Sequence, residues 1–340
     1  MAGSPLDRNR DSMVARRDQA ARFLSENGWN PAHRIRIAGD ASNRAYDRLT
    51  RPDGTTAILM DAPPDTGEDV RPFIRLAAYL RQCGLSAPAV MAADETAGFL
   101  LLEDLGDALF ATLMQDDPSL QQPLYKASVD VLITLHRADP LPLPDCDAAW
   151  LTEMTAPLFD WYLPEAGAEI RSAFLTAFHP FADQIAAAPR VTILRDYHAQ
   201  NLLWLPGRAD VARVGILDFQ DALAGHRAYD LVSILQDARR DVTAEIEAEM
   251  QEYYLSKSPV DPADFRRSYA VLGVQRNLRI LGIFTRLAKR DGKPSYVDLV
   301  PRVWNYVKRN LAHPDLVPLA RALDAIPEPT PAFLEQLKTT

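Results

Sequence analysis

The sequence has few cysteines and lacks the glycine patterns of common nucleotide-binding folds. Its two cysteines, Cys83 and Cys146, are too few for a disulfide framework or a cysteine zinc site. None of the 15 glycines forms a G-x-G pair or the G-x4-G spacing, so the usual dinucleotide fingerprint and the Walker phosphate loop are excluded. The H-E-x-x-H and G-x-S-x-G motifs are also missing, which excludes the simplest metalloprotease and α/β-hydrolase interpretations.

Positive charge and long hydrophobic runs are also scarce. Lys and Arg number 37 against 46 Asp and Glu, giving a net charge of −9, which disfavours general binding to nucleic acid or anionic membranes. No stretch of about 18 residues, the length of a bilayer-spanning helix, is free of charged side chains. Residues 1–17 lack the apolar segment of a secretory signal. We expect a cytoplasmic protein with no nucleic-acid, membrane or obligate protein partner.

The composition is that of an ordinary globular protein, and the length of 340 residues favours two domains or lobes. Hydrophobic periodicity predicts strands at residues 34–37, 46–51, 55–60, 89–92 and 98–102. It predicts long helices at residues 11–26, 68–82, 121–137, 231–241 and 265–290. The expected fold class is α+β, with a small antiparallel-sheet lobe at residues 1–104 and a larger helical lobe at residues 105–340.

Residues 191–205 combine two apolar runs with a short polar loop between them. Asp196 and Asn201 lie in this loop, and a second apolar segment at residues 214–217 ends in Asp218. A hairpin would bring the loop and Asp218 into one neighbourhood. Phosphoryl transfer needs such a set, because one carboxylate orients or accepts the nucleophile's proton while an amide oxygen and a second carboxylate hold Mg²⁺ against the nucleotide phosphates.

The D-x4-N pair alone is weak, because isolated Asp and Asn residues commonly cap loops. Its combination with L-D-F at residues 217–219, Gly225 and Y-D-L at residues 229–231 is far more restrictive. This arrangement resembles the aminoglycoside-phosphotransferase branch of kinase-like enzymes. The strings at residues 39–42, 59–64, 196–204 and 217–240 resemble more closely the anomeric kinases of N-acetylmuramate and N-acetylglucosamine used in bacterial cell-wall recycling. The resemblance runs from about residue 39 to residue 296.

The resemblance implies a bilobal, protein-kinase-like fold and an ATP-dependent, Mg²⁺-requiring phosphotransferase. It implies that Asp196 is the catalytic base and that Asn201 and Asp218 hold Mg²⁺. Residues 102–105, including Glu103 and Leu105, match the interlobe hinge that meets adenine through backbone groups. The loop at residues 39–44 would cover the phosphates, with Ser42 as a donor and Arg44 as a charge clamp; in the alternative, these two residues belong to an ordinary turn. Asp230 would brace the catalytic loop.

One expected residue of this fold is missing. Kinase-like folds normally place a lysine for the nucleotide phosphates on the third strand, but residues 57–61 contain none, and Met60 stands about where it is expected. A thioether cannot neutralise phosphate charge, so another cation, Arg44 or Arg48, is expected to substitute. The missing lysine also leaves open a catalytically weak, nucleotide-binding regulator, although Asp196, Asn201 and Asp218 argue against it.

The expected acceptor is a sugar, and its anomeric hydroxyl is more acidic than an ordinary alcohol. The lactyl carboxylate of N-acetylmuramate requires local cations, for which the candidates are Arg239, Arg240, Arg276 and Arg279; as single residues, each is also a common kind of solvated surface arginine. His198, Gln220 and Asp221 are further acceptor candidates, with His198 alternatively a support for the loop backbone. An aminoglycoside, choline or homoserine remains the alternative acceptor on the same fold.

Overall fold

The computed structural model describes residues 5–30, 33–37, 43–164 and 168–338, with the backbone alone for residues 5–13. The strands are β1 (His33–Ile37), β2 (Ala45–Thr50), β3 (Thr56–Asp61), β4 (Val90–Asp94), β5 (Phe99–Glu103), β6 (Arg190–Ile193), β7 (Leu202–Trp204), β8 (Val214–Ile216) and β9 (Leu223–His226). The α-helices are α1 (Pro5–Glu26), α2 (Arg71–Gln82), α3 (Phe110–Asp116), α4 (Gln121–Leu135), α5 (Ala148–Glu153), α6 (Ala168–Ala187), α7 (Ala228–Leu235), α8 (Ala244–Lys257), α9 (Pro262–Lys289), α10 (Val300–Leu311), α11 (Val317–Leu323) and α12 (Pro331–Lys338).

The chain divides into two compact units. The first unit contains residues 1–108 and 203–220, and the second contains residues 109–202 and 221–340. The predicted division at residue 104 differs from this one mainly at residues 203–220, which it assigned to the helical lobe. Backbone hydrogen bonds explain their grouping with the first unit, because the Trp204 N–H donates to the carbonyl of Ala108 and the Ile216 N–H to that of Ser86.

An antiparallel sheet forms most of the first unit, with strand order β1-β2-β3-β5-β4. Tyr46 of β2 lies opposite Met60 of β3, and both residues therefore belong to the same face of the sheet. The other face carries Leu49 and Leu59, which pack with Phe99 of β5 and Phe23 of α1 in a fully apolar cluster. Burial of each such side chain contributes about 1.5–3 kcal/mol. The opposite face also carries buried apolar side chains, among them Met60 and Leu100, which lie opposite each other on β3 and β5.

The second unit is mainly helical. Its longest helix, α9, begins after Asp261, whose side chain accepts the Asp264 N–H, and Pro262 occupies the first helical turn. Strands β6 and β9 pair in antiparallel register, with Thr192 opposite Ala224. Among the described residues, no helix is both long enough and apolar enough to cross a bilayer.

Two predicted features of the second unit differ from the structure. The helix expected at residues 231–241 is wrong at both ends, because α7 spans Ala228–Leu235. It ends where Gln236 leaves the helical backbone conformation, and the Asp237 side chain then accepts the Arg239 N–H in a turn. Strand β9 was not predicted, because its four residues are short and its pairing partner, β6, lies far away in the sequence.

His136 makes the second unit sensitive to acid. It is buried, its Nδ1 lies 2.8 Å from the Tyr254 hydroxyl, and burial lowers its pKa from the usual 6.5 to about 3, helped by the charge of Arg227. Because the unfolded chain binds a proton below pH 6.5 and the native state does not, stability is lost as pH falls from 6.5 towards the folded value. Between pH 7 and 5 this group is expected to remove about 2 kcal/mol of unfolding free energy.

Denaturant unfolding of the wild type and His136→Gln at pH 7 and pH 5 tests this expectation. The wild type should lose about 2 kcal/mol more than the variant over this interval, because the variant lacks the titrating ring. If the unfolding free energies of the two proteins fell by the same amount between pH 7 and pH 5, the expectation would be contradicted. Other buried histidines, such as His226, act equally in both proteins and cancel in the comparison.

Candidate active site

Asp230 organises the polar loop that follows β6. Its side chain is fully buried at the start of α7, and its two carboxylate oxygens accept the backbone N–H groups of Leu194 and Arg195 at 2.6 and 2.9 Å. Burial raises the pKa of Asp230 to about 6, while the two backbone N–H bonds act in the opposite direction. Ser233, one turn later, donates to the Arg195 carbonyl at 3.1 Å. Helix α7 thus fixes the backbone immediately before Asp196.

The loop itself is a tight turn held by its own backbone. The carbonyl of Asp196 accepts the His198 N–H at 3.1 Å and the Asn201 side-chain amide at 2.9 Å. Because the Nδ2 of Asn201 is committed to this bond, its Oδ1, on the opposite side of Cγ within the amide plane, is directed away from it. The Asp196 carboxylate is half-buried, so it remains within reach of solvent and ligands.

Asp218 belongs to the first unit, lies two residues after the end of β8 and has a positive φ of 55°. Such a backbone conformation is strained for most non-glycine residues and is concentrated at functional sites. The Gln220 side-chain amide donates to Oδ1 of Asp218 at 2.7 Å. Phe219 is fully buried and packs against Phe73 of α2, with ring centroids 4.8 Å apart. This anchor fixes the direction of the neighbouring carboxylate.

The position expected for the missing lysine faces a polar cluster in the first unit. Tyr46, which lies opposite Met60, has a raised pKa, and burial is the main cause. The charge of Arg44 and a hydrogen bond with it lower this pKa, whereas the charges of Asp218 and Glu68 raise it. Arg44 donates from Nε to Glu68 at 2.6 Å, and these two side chains expose only 15% and 12% of their surface. Arg44 therefore brings a shielded positive charge to the face that carries Met60.

Arg48, the other candidate for the replacement cation, lies at a different place. It forms ion pairs with Asp104 and Asp107 at 2.8 and 2.7 Å, which raise its pKa above the usual value. Two carboxylates therefore engage Arg48 beside the predicted hinge. This engagement disfavours Arg48 as the phosphate cation.

The predicted hinge residues lie in a connected part of the first unit. The Glu103 side chain accepts the Ala89 N–H at 3.2 Å and forms an ion pair with Arg208. Leu105 packs close to Gly215, because a Cβ added to Gly215 would lie 3.1 Å from the Cδ1 methyl group of Leu105. These side-chain contacts, together with the bond from the Glu103 N–H to the Ala89 carbonyl, fix this segment. Ser42, the predicted phosphate donor, lies outside the described residues.

The predicted acceptor residues do not form a single group. His198, Arg276 and Arg279 share an electrostatic neighbourhood with Asp196 in the second unit. The charge of Arg239 lowers the pKa of His198, whose main shift comes from burial. The Arg240 guanidinium instead donates to the carbonyl of Ala111 at 3.1 Å. Gln220 lies with Asp218 in the first unit, and the Asp221 carbonyl accepts a bond from Arg195 at 3.1 Å.

Sequence reasoning missed Asp237 and Glu68. Asp237 is 3% exposed, its Oδ2 has no hydrogen-bond partner among the described residues, and its charge raises the pKa of His198, which burial lowers. A carboxylate two residues before the arginine pair at 239–240 was the only signal for Asp237. Glu68 was visible only as an acidic residue before α2, and its importance depends on its contact with Arg44.

The sequence pattern of the phosphotransferase enzyme family matches residues 33–269, which is more than half of the chain. The chain belongs to this family. An N-acetylmuramate/N-acetylglucosamine kinase from Caulobacter vibrioides is 38% identical in an alignment of 345 residues, gaps included, that covers 89% of this chain and 94% of that protein. A protein of the same name from Pseudomonas aeruginosa is 34% identical over 323 residues, which cover 90% of this chain and 93% of its own.

Solved structures confirm the predicted fold class of this family member. An ADP-bound aminoglycoside phosphotransferase superposes with a TM-score of 0.59 at 13% identity, covering 85% of this chain and 98% of its own. At this identity the likeness shows the fold alone. The chain therefore has the bilobal α+β fold of the aminoglycoside phosphotransferases, and the phosphotransferase activity expected from the sequence is that of its family.

Proposed function

We propose that this protein is an ATP-dependent kinase that phosphorylates the anomeric C1 hydroxyl of N-acetylmuramate, N-acetylglucosamine or both. The observation that carries the proposal is the extended likeness to relatives named N-acetylmuramate/N-acetylglucosamine kinase, at 34–38% identity over about nine-tenths of the chain. The product would be the α-1-phosphate of the sugar, formed in the cytoplasm for cell-wall recycling. Like the nucleotide in the ADP-bound relative, the spent donor would be ADP.

Asp196 is the proposed catalytic base. The C1 oxygen of the sugar attacks the γ-phosphorus of ATP, the bond from that phosphorus to the β,γ-bridging oxygen breaks, and the C1 hydroxyl proton passes to the Asp196 carboxylate. Because an anomeric hydroxyl is already relatively acidic, an ordinary aspartate can assist this attack. The brace from Asp230 and the turn to Asn201 orient the carboxylate, and orientation supplies much of the rate in phosphoryl transfer.

Asn201 and Asp218 are the proposed ligands for Mg²⁺. One amide oxygen and one carboxylate are hard donors, and magnesium sites in kinases combine few protein oxygens with phosphate oxygens and water. The Asn201 amide fits this role because its nitrogen is committed to the Asp196 carbonyl, which orients the oxygen away from that bond. When bound, Mg²⁺ would offset the negative charge that develops on the phosphates during transfer.

Arg44 is the proposed phosphate clamp in place of the missing third-strand lysine. Its Nε donates to Glu68 at 2.6 Å, and its charge acts on Tyr46 together with that of Asp218. Glu68 holds this cation in place, as a helix glutamate holds the lysine in other kinase-like folds. The backbone of residues 102–105, around Glu103 and Leu105, is the proposed contact for adenine, and Ser42 is retained as a proposed phosphate donor.

Glu68→Gln should weaken ATP binding, because the amide keeps the shape of the side chain but loses the charge that holds Arg44. We expect the KM for ATP to rise about five- to tenfold, with little change in the KM for the sugar. Steady-state kinetics with each substrate varied measures this effect. Glu95→Gln, at an exposed position of the same unit, is the matched control. Equal ATP constants for Glu68→Gln and the wild type would remove Glu68 from this role.

His198 and Asp237 are the proposed contacts for sugar hydroxyl groups. The Nδ1 of His198 and the Oδ2 of Asp237 are buried and have no hydrogen-bond partner among the described side chains. Buried polar atoms of this kind are costly unless a ligand or water satisfies them. Gln220, Asp221 and Arg239 stay proposals as secondary contacts, while Arg240 is committed to a backbone carbonyl and is a weaker candidate.

An acceptor panel tests the proposed function. Purified protein is incubated with ATP and Mg²⁺ and, separately, N-acetylmuramate, N-acetylglucosamine, an aminoglycoside, choline or homoserine, and ADP release is measured. We expect release with the amino sugars. Release only with an amine acceptor would establish the alternative kinase function, and no release with any acceptor despite nucleotide binding would favour a regulator.

A further inference from the structure

Three arginines of the second unit lie in one electrostatic neighbourhood with Asp196. The pKa of Arg279 is lowered first by burial and then by the like charges of Arg276 and Arg195, while Tyr229 and Asp196 act in the opposite direction. The nearby Asp230 carboxylate is already occupied by two backbone N–H groups. The cluster of Arg195, Arg276 and Arg279, called here the arginine cluster, therefore carries more positive charge than these carboxylates offset.

Two guanidinium groups of the arginine cluster have a buried Nε donor that no described residue accepts. The Nε atoms of Arg195 and Arg276 make no hydrogen bond with any described residue, and Arg276 as a whole is only 8% exposed. The contact from Arg276 to the Tyr229 hydroxyl, at 3.5 Å, is long for a hydrogen bond. A buried charged donor of this kind gains more from an anionic acceptor than from water, because charge-assisted hydrogen bonds are the stronger ones.

An aromatic pair holds the two guanidinium groups in position. The Cζ of Arg195 lies 5.5 Å from the ring centroid of Trp150, and the Cζ of Arg276 lies 5.6 Å from that of Tyr229. The two rings are themselves 6.2 Å apart. Cation–π contacts at these distances restrict the arginines before any ligand binds, which lowers the entropic cost of binding. Arg195 and Arg279 are only half-buried, so the cluster can be reached from solvent.

Arg195 occupies a backbone position that disfavours an arginine. Its φ is +70°, in the left-handed region where glycine fits without strain. The Asp230 carboxylate accepts the Arg195 N–H and the Ser233 hydroxyl donates to the Arg195 carbonyl, and these two bonds hold the backbone conformation regardless of the side chain. A strained conformation at a residue that also has an unsatisfied charged donor indicates a role for the side chain itself.

We propose that the arginine cluster binds the carboxylate of an acidic amino sugar and thereby selects N-acetylmuramate over N-acetylglucosamine. The proposal rests on the proposed function, since it names the preferred substrate of the same site. Arg195 is the central member, because it directly precedes the proposed base and its buried Nε has no acceptor among the described residues. The carboxylate of the lactyl group would accept hydrogen bonds from donors that no described protein group satisfies.

The test compares kcat/KM for N-acetylmuramate, its uncharged methyl ester and N-acetylglucosamine in the wild type, Arg195→Gly and Arg195→Lys. For Arg195→Gly, the ratio of kcat/KM for N-acetylmuramate to that for N-acetylglucosamine should fall about ten- to hundredfold, the loss expected for one charge-assisted bond. Any general effect on Asp196 cancels in this ratio. Arg195→Lys should restore part of the ratio, and the methyl ester should behave like N-acetylglucosamine in every protein.

Two controls separate recognition from folding and from net charge. Arg195→Gly should keep its thermal midpoint within a few degrees of the wild type, because relief of the positive φ offsets the added freedom of glycine in the unfolded chain. Arg266→Ala, which removes an exposed arginine of the same unit, should leave the ratio unchanged. An unchanged ratio in Arg195→Gly would overturn the arginine cluster but not the sugar kinase. If the wild type had no activity with either sugar, both the role of the arginine cluster and the proposed sugar-kinase function would be overturned.

Discussion

Asp196→Asn is expected to lower kcat by about 10²–10⁴-fold, the usual contribution of a positioned general base. The substitution keeps the size of the side chain but removes the carboxylate that receives the C1 proton. The loop should keep its structure, because its hydrogen bonds to His198 and Asn201 use the Asp196 carbonyl rather than the side chain. The loss should therefore appear in turnover and not in nucleotide binding.

Single-turnover kinetics and nucleotide binding by calorimetry measure the two expectations for Asp196→Asn. The dissociation constant for ADP should stay within about twofold of the wild type, a difference of less than 0.5 kcal/mol. Asp210→Asn makes the same charge change at an exposed residue that tolerates its positive φ of 48° equally well as asparagine, and it should leave kcat unchanged. Near wild-type turnover in Asp196→Asn would remove this residue from the base role.

Asp218→Asn is expected to lower kcat/KM by at least about a hundredfold, equivalent to roughly 3 kcal/mol. Asparagine tolerates the positive φ of 55° at this position, so the backbone and the packing of Phe219 should survive. The lost negative charge should instead weaken the site for Mg²⁺. Activity measured against magnesium concentration should therefore show a midpoint shifted upwards by about tenfold or more.

The magnesium titration distinguishes the proposed roles of the two aspartates. Asp196→Asn should have a low rate but the magnesium midpoint of the wild type, whereas Asp218→Asn should change both quantities. Thermal unfolding provides the structural control for each protein. An unchanged magnesium midpoint in a folded, slow Asp218→Asn would contradict its assignment as a metal ligand.

Local sequence patterns predicted the fold class and the segments that carry the candidate site. The strands of the first unit were predicted because short alternating or continuous apolar runs between turn residues are typical of strands, and two of these runs carry Leu49 and Phe99 into the apolar cluster. Asp196, Asn201 and Asp230 were identifiable because short apolar runs and turns fix their spacing. The bonds from Asp230 to the loop backbone occur where the family resemblance implied a brace.

Features that depend on distant contacts or on backbone conformation could not be predicted. The pair of Arg44 and Glu68 joins residues 24 positions apart through the folded first unit. The left-handed conformation of Arg195 has no signal in residue type, because arginine normally avoids it. The early end of α7 results from the turn at Asp237, which overrides a sequence that would permit further helix.

The position of phosphate on the product decides whether this protein is an anomeric sugar kinase. The protein is incubated with ATP, Mg²⁺ and either N-acetylglucosamine or its 1-O-methyl glycoside, which lacks the anomeric hydroxyl, and the products are examined by phosphorus and proton NMR. We expect coupling of phosphorus to the C1 proton of an α-1-phosphate and no product from the methyl glycoside. Phosphorylation of the methyl glycoside, or a product whose phosphorus does not couple to the C1 proton, would contradict this expectation.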